Sequence, residues 1–416
     1  MTENKTSFPP LNRDWLIYGL SLIFDLAVGG VWFVVTRRLA DFYKEQGVSD
    51  ATTALHLGAI NGGMFVTYTL GTLISGRLSD RYGRQRLMIL GGIVYTIAAV
   101  AFLTTAKFWW LLVLFMLLGL GGSIYWPPAI AWLSEGKSGA QLRWSLGCFC
   151  VAWNVGILLG NSLGGLLYAW SPTNAIAIFA GMLAVGTLLV RLPSRVSTGS
   201  RWADRFTDGN PASVIDAKRF AIAAWVGNFA AVFCLNGVGG LFPQLATQLG
   251  IAPEIHGQLM AAGRFTAIAA FIGLQVTIFW RHRSWPLVLS QAIGIVGVVL
   301  IAIGDVDVTF AVAFLLVGLA QGFTYYASIY YSLEAYAEEK GKGSGFHEAV
   351  LGAGLALGPF LSGWVGSLAS PGETALRAPY WFCAWIFALG LLAQFILSRR
   401  RTATPTPAPT PAAKSE

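Results

Sequence analysis

Read for polarity alone, the chain alternates long apolar runs with short polar breaks. A helix rising 1.5 Å per residue needs about 20 apolar residues to cross a hydrocarbon core about 30 Å thick. Twelve runs meet that length, at roughly 15–36, 55–76, 87–106, 108–133, 144–169, 173–191, 219–243, 256–280, 285–304, 308–333, 345–369 and 379–398. The pattern predicts an all-α membrane protein with twelve transmembrane helices. No small-residue cleavage site follows a short apolar region at the start, so the first run is read as a retained helix.

Composition sharpens this picture. Of 416 residues, 55% are apolar and only 12% charged, about half the charged share of an ordinary soluble domain. That balance argues against a water-soluble enzyme. Cys148, Cys150, Cys234 and Cys383 all lie in apolar runs, without a CxxC pair or a nearby His set. We therefore expect no metal and no cofactor. Ala131 to Ser138 fits a loose Walker A pattern but ends a transmembrane run, with no strand before it to build a phosphate loop.

Charge sets the orientation. An even number of spans puts both termini on one side, and with that side taken as cytoplasmic the Lys and Arg residues concentrate there. Only Arg37, Arg38, Lys44, Lys107 and Arg377 fall on the opposite side, and only Arg264 lies within a span. The net charge of +8 is thus a topological signal and requires no nucleic-acid partner. We expect a multi-pass protein of the plasma membrane, in a bacterium the inner membrane, with both termini cytoplasmic. The polar stretch 191–218 reads as a linker between bundles spanning 1–190 and 219–398, and 399–416 as a disordered, Pro-rich tail.

The two bundles repeat. Gly119-Leu120 and Glu135 recur as Gly318-Leu319 and Glu334 at an offset of 199; Gly160 and Gly165 recur as Gly358 and Gly363 at 198; Arg84 and Arg86 recur as Arg281 and Arg283 at 197. A duplicated half predicts a cavity at the repeat interface.

After the second span comes Gly76-Arg77-Leu78-Ser79-Asp80-Arg81-Tyr82-Gly83-Arg84-Gln85-Arg86. This resembles the signature loop of the major facilitator superfamily, G-x-L-[AS]-D-R-x-G-R-[KRQ]-[KR]. Gly76 would let helices approach, and Gly83 would allow the turn. The resemblance implies two six-helix bundles and secondary transport. It also implies that Asp80 faces the free N–H groups near Gly345 and Phe346 when the cytoplasmic side is closed. We expect Glu135 to pair with Arg81 or Arg84, and Glu334 with Arg281 or Arg283, as breakable gate contacts.

The fifth span carries Gly156-x-x-x-Gly160-Asn161-x-x-Gly164-Gly165. It resembles the family's antiporter-associated motif, with Asn161 replacing Pro. The eleventh span has Gly354-x-x-x-Gly358-Pro359-x-x-Ser362-Gly363 and keeps the Pro. These glycines read either as close helix packing or as the mark of an exporter. Against proton-driven drug export by the family's usual arrangement stands Phe115, where such exporters carry an Arg.

Charges within spans are functional candidates by default. Asp25 lies about 15 Å into the first span. It is either a proton carrier or a structural hydrogen-bonding group. Arg264 either contacts substrate or pairs with Asp25 or an amide. His347 and Glu348 open the eleventh span and are either proton-coupling groups or a polar helix start. Asn61, Trp126, Asn154, Asn228, Asn236, Gln321, Tyr326 and Tyr330 are placed on the cavity walls, suiting an amphipathic or sugar-like ligand as well as helix packing.

The reading is a monomeric, proton-coupled transporter exporting a small solute. One rival is a facilitator or symporter for a sugar, metabolite or lipid-like solute. The other is a non-transporting receptor or assembly factor on the same fold.

Overall fold

The computed structural model describes residues 11–137, 139–195, 214–336, 340–370 and 372–399. The expected linker from 196 to 213 and the tail from 400 onward lie outside the described residues, as does Ser138 of the Walker-like pattern. Twelve long helices carry the chain: α1 (Arg13–Glu45), α2 (Asp50–Tyr82), α3 (Arg84–Ala101), α4 (Phe108–Ser134), α5 (Gly139–Trp170), α6 (Pro172–Leu189), α7 (Val214–Gln248), α8 (Pro253–Val276), α9 (Ser284–Ile303), α10 (Asp307–Ala335), α11 (Lys340–Leu368) and α12 (Glu373–Arg399). Eleven are long and apolar enough to cross a membrane. The exception, α3, spends the start of its 18 residues on Arg84, Gln85 and Arg86. α7 begins at Val214, five residues before the expected start.

Local chemistry sets several of these ends. Asn12 and Ser49 cap α1 and α2 by accepting from Asp14 N and Thr52 N, and Ser171 with Pro172 opens α6. Residues Leu11–Asn12 (β1) pair in parallel with Ser194–Arg195 (β2). This places the start of α1 beside the end of α6, on what is here called the inner face; the ends of α1 and α7 mark the outer face. Leu70, Leu73, Ile97, Val185 and Trp385 are exposed, as expected of surface that lipid covers.

The repeat is built into side-chain bonds. Thr67 of α2 donates to the Met116 carbonyl of α4, and Thr266 of α8 donates to the Leu315 carbonyl of α10, each at 2.7 Å. Gly119 packs on the backbone of Met64, and Gly318 on that of Gly263, so closely that any Cβ would collide. Gly156 and Gly160 likewise rest on α1 at Leu22 and Leu26, while Gly354 and Gly358 rest on α7 at Phe229 and Phe233. Gly164 meets the Phe33 ring. In each half the fifth helix is therefore glycine-packed onto the first.

Between halves, glycines again carry the contact. Gly165 of α5 meets Pro253 and Gly257 of α8, and Gly58 of α2 meets Pro359 and Gly363 of α11. All of these residues lie toward the outer face. Helix backbones approach closely there because no side chains intervene. The inner face differs: nothing lies within 4 Å of a Cβ built at Gly76, Gly83 or Gly345. The halves are sealed outside; inside, α2 and the start of α11 face open space while Gly147 of α5 still meets Gln275 of α8. Gly76 accordingly faces open space rather than a packed helix.

Candidate functional site

Between the halves lies a cavity of about 260 Å³. α1 supplies Asp25 and Trp32, α2 Phe65 and Tyr68, α3 Tyr95, α4 Trp126, α5 Trp153 and Asn161, α7 Asn236, α8 Arg264, α10 Gln321 and Tyr325, and α11 Glu348. Both halves therefore contribute aromatic and ionisable groups to one space. Glu348 is exposed although it stands deep between helices, because its free surface is cavity wall.

Asp25, Arg264 and Glu348 stand on three helices. Asp25 sits where Gly156 of α5 comes against its Cβ, which holds α1 close and leaves the carboxyl facing inward. Arg264 follows Gly263, whose backbone packs on α10. Asp25 and Arg264 lie within electrostatic reach of each other. Among the described residues no hydrogen bond or ion pair joins them. Glu348 is within reach of Tyr68 and Tyr325 rather than of Arg264. Asp25 thus has a base within reach and Glu348 does not, while the Tyr68 phenol lies within reach of both acids.

The walls are fixed by aromatic and amide contacts. Trp153 of α5 stands edge-on to Tyr325 of α10, centroids 6.1 Å apart, bridging the halves. The Trp126 indole donates to the Tyr95 hydroxyl at 3.2 Å. Asn236 donates to the Val232 carbonyl at 3.0 Å. The side-chain oxygens of Asn161 and Gln321 have no protein partner, so both remain available to a ligand or water.

Several expected wall residues stand elsewhere. Asn61 is buried beside the cavity: it accepts from the Trp32 indole and donates to the carbonyls of Leu57 at 2.8 Å and Gly240 at 3.4 Å. It therefore positions Trp32 and ties α2 to α7. Asn154 is fully buried and donates to the Cys150 carbonyl, and Asn228 is buried as well. Tyr326 and Tyr330 turn away from the cavity onto Trp280, at 6.0 and 5.0 Å; Tyr325 occupies the inward position, one residue or about 100° round the helix. His347 is buried against Ser328, its Nδ1 2.8 Å from that hydroxyl, and lies off the cavity wall.

At the inner face Glu135 accepts from Arg84 at 2.6 Å and from Arg13 at 2.5 Å. Glu334 takes a different partner from the expected Arg281 or Arg283: His282, at 2.8 Å. The reason is a left-handed turn. His282 has φ 55°, a conformation rare outside glycine, held by its N–H donating to the Tyr331 hydroxyl at 2.8 Å. That turn directs Arg281 over the Tyr330 ring at 4.9 Å. Asp80 does not reach Gly345 or Phe346; its exposed carboxylate faces Arg84 at 3.5 Å, and Arg81 lies over Tyr82. Nothing lies within 4 Å of a Cβ at Gly345, so the start of α11 is out of Asp80's range.

Sequence reasoning missed an outer network. Arg37 of α1 donates to Asp41 at 3.0 Å and to the Ile251 carbonyl at 3.0 Å. Asp41 also accepts from Tyr168 of α5 and Thr247 of α7, both at 2.6 Å. Lys44 donates to the Thr247 carbonyl at 2.7 Å, and Gln244 and Gln248 donate to Asp50. The available signal was Arg37 and Asp41 at i, i+4, a spacing that pairs charges on one helix face. Among the described residues no cluster of three His, Cys, Asp or Glu is placed to hold a metal ion.

The family model of the Major Facilitator Superfamily matches residues 17–282 and 224–416. A multi-drug resistance efflux pump PmrA homolog of Lactococcus lactis is 30% identical over 187 residues, 45% of each chain. The niacin transporter NiaP of Acinetobacter baylyi is 24% identical over 323 residues, 62% of this chain and 69% of that one. The match thus spans under half the length of the first relative. Among solved structures, the nucleoside transporter NupG aligns with TM-score 0.68 at 13% identity over 93% of this chain and 100% of its own. A bacterial homolog of the human lysosomal transporter Spinster, inward-facing and occupied, aligns with TM-score 0.72 at 16% identity over 96% of this chain and 100% of its own. These structural likenesses show the fold. With its two six-helix halves around one central cavity, the chain belongs to the Major Facilitator Superfamily.

Proposed function

We propose that this transporter exports a small amphipathic solute across a bacterial inner membrane in exchange for protons, working as a monomer with its inner face in the cytoplasm. The observation that carries this reading is the set of Asp25, Glu348 and Arg264 on one aromatic-lined cavity, each without a hydrogen-bonding partner among the described residues. Ionisable groups are costly within a membrane and are retained there for transport or proton relay. Asp25 and Glu348 take and release protons; Arg264 and the rings of Trp126, Trp153 and Tyr325 hold the solute. Rocking of the halves about the glycine contacts exchanges the open side. The glycine motif of α5, a relative named as a multi-drug resistance efflux pump homolog and another named as a multidrug resistance protein support export.

A facilitator or symporter for a metabolite is the second reading, favoured by Phe115 in place of an Arg and by likeness to a niacin transporter. A thermal-shift screen identifies the solute, because a bound ligand raises the melting temperature by mass action. Proteoliposomes then decide between the readings. Under the first, adding solute to vesicles with an imposed proton gradient dissipates the gradient, and Asp25→Asn abolishes that flux. Solute movement indifferent to the gradient favours the second. No movement of any stabilising solute returns the fold to a receptor role.

A further inference from the structure

The outer seal holds a titratable side chain that the cavity does not use. His256, in the first turn of α8, is fully buried between Phe33 of α1 at 4.6 Å and Phe242 of α7 at 5.2 Å. Its Nδ1 lies 3.5 Å from an Arg37 guanidinium nitrogen. A guanidinium has only donors, so Arg37 donates and Nδ1 accepts. The ring proton therefore sits on Nε2, which has no protein partner. An imidazolium could not fill this place: it would set N–H against N–H and press two cations together away from water.

Nothing around the ring offsets a second cation. The charged or titratable groups at the outer ends of the helices packed about it are Arg37, Arg38, Asp41, Tyr43, Lys44 and the exposed Glu45 of α1, Tyr168 of α5 and Glu254 of α8 itself. Asp41 is the acid on a facing helix, and its oxygens are already taken by Arg37, Tyr168 and Thr247. α7 presents the apolar ring of Phe242, and α5 presents Gly165 against Gly257.

We infer that His256 is a proton-binding site of the outer gate. The seal closes only over the neutral ring, and when the halves part on the outer side the ring meets outer water and takes up a proton. Because the proton binds one conformation and not the other, outer acidity holds the outer face open. Release of that proton is then a condition for returning to the conformation described here. The site stands apart from any proton carried by Asp25 or Glu348.

Spin labels at Gln46→Cys and Leu249→Cys, in the loops after α1 and α7, report outer opening by pulsed electron resonance. A background of Asp25→Asn, Glu348→Gln and Cys148→Ser silences the cavity carboxyls and the half-buried thiol. Lowering the pH from about 8 to about 5.5, across the histidine range, should raise the long-distance population several-fold. His256→Gln, whose carbonyl still accepts from Arg37 but does not titrate, should stay closed at both values. Arg37→Gln, which keeps the ring and removes the facing cation, should also lose the response. An equal pH shift in His256→Gln, or none in the parent, overturns the inference. Should His256→Gln fail to assemble, His256→Asn and Arg37→Gln decide the same question. Because the cavity acids are already neutralised, the outcome is independent of whether they carry protons.

Discussion

Thr247 of α7 donates a 2.6 Å hydrogen bond to Asp41 of α1, joining the two halves at the outer face. Asp41 keeps Arg37 and Tyr168 from its own half, so parting the halves costs this acid one bond and leaves it neutralised. A hydrogen bond of this kind contributes about 0.5–1.5 kcal/mol. Thr247→Val should therefore shift the outward-open to inward-open ratio by roughly two- to tenfold toward outward-open. Outer-face distance measurements on the variant check this, and an unchanged ratio would show the bond to be incidental.

Gly165 tests the glycine seal. A side chain there meets the Pro253 carbonyl and the Gly257 backbone, neither of which can move without shifting α8. Gly165→Leu should hold the outer face open and abolish transport while leaving the protein monodisperse. Normal transport by this variant would show that the seal tolerates separation.

Gly119 tests packing within one half. Overpacking of a tight contact costs about 1–3 kcal/mol, and a Cβ at Gly119 collides with the Met64 carbonyl. Gly119→Val should lower the melting temperature by several degrees, measured by thermal unfolding in detergent. Its repeat counterpart Gly318→Val should do the same through Gly263.

Arg264 should matter through its guanidinium geometry as well as its charge. Lysine offers a point charge in place of a planar fork of donors. If Arg264 contacts solute, Arg264→Lys should weaken solute binding at least about tenfold, about 1.4 kcal/mol, with melting temperature in the absence of solute nearly unchanged. Titration calorimetry reads the first and thermal unfolding the second.

How much of this was legible beforehand depended on the kind of contact. Helix number and the repeat followed from apolar runs and recurring glycines, because each is set by local sequence. Asp25, Arg264 and Glu348 stood out because charge in an apolar run is conspicuous. Choosing Tyr326 over Tyr325 failed because a one-residue error in helical phase swings a side chain off the cavity. The pairing of Glu334 with His282 was hidden by a left-handed turn at a residue that rarely adopts one. The outer network was invisible for a different reason: Asp41 and Thr247 meet only after both halves have folded and docked.

The duplicated threonine bonds carry a consequence for how motion spreads. Thr67 and Thr266 rivet α2 to α4 and α8 to α10, while α2 and α8 also form the seam between halves. A small tilt at that seam must swing α4 and α10 as attached lever arms. Their far tips bear Glu135 and Glu334, so a tilt at the outer rim is carried toward the carboxylates at the opposite end, through Pro127 and Pro128 on α4.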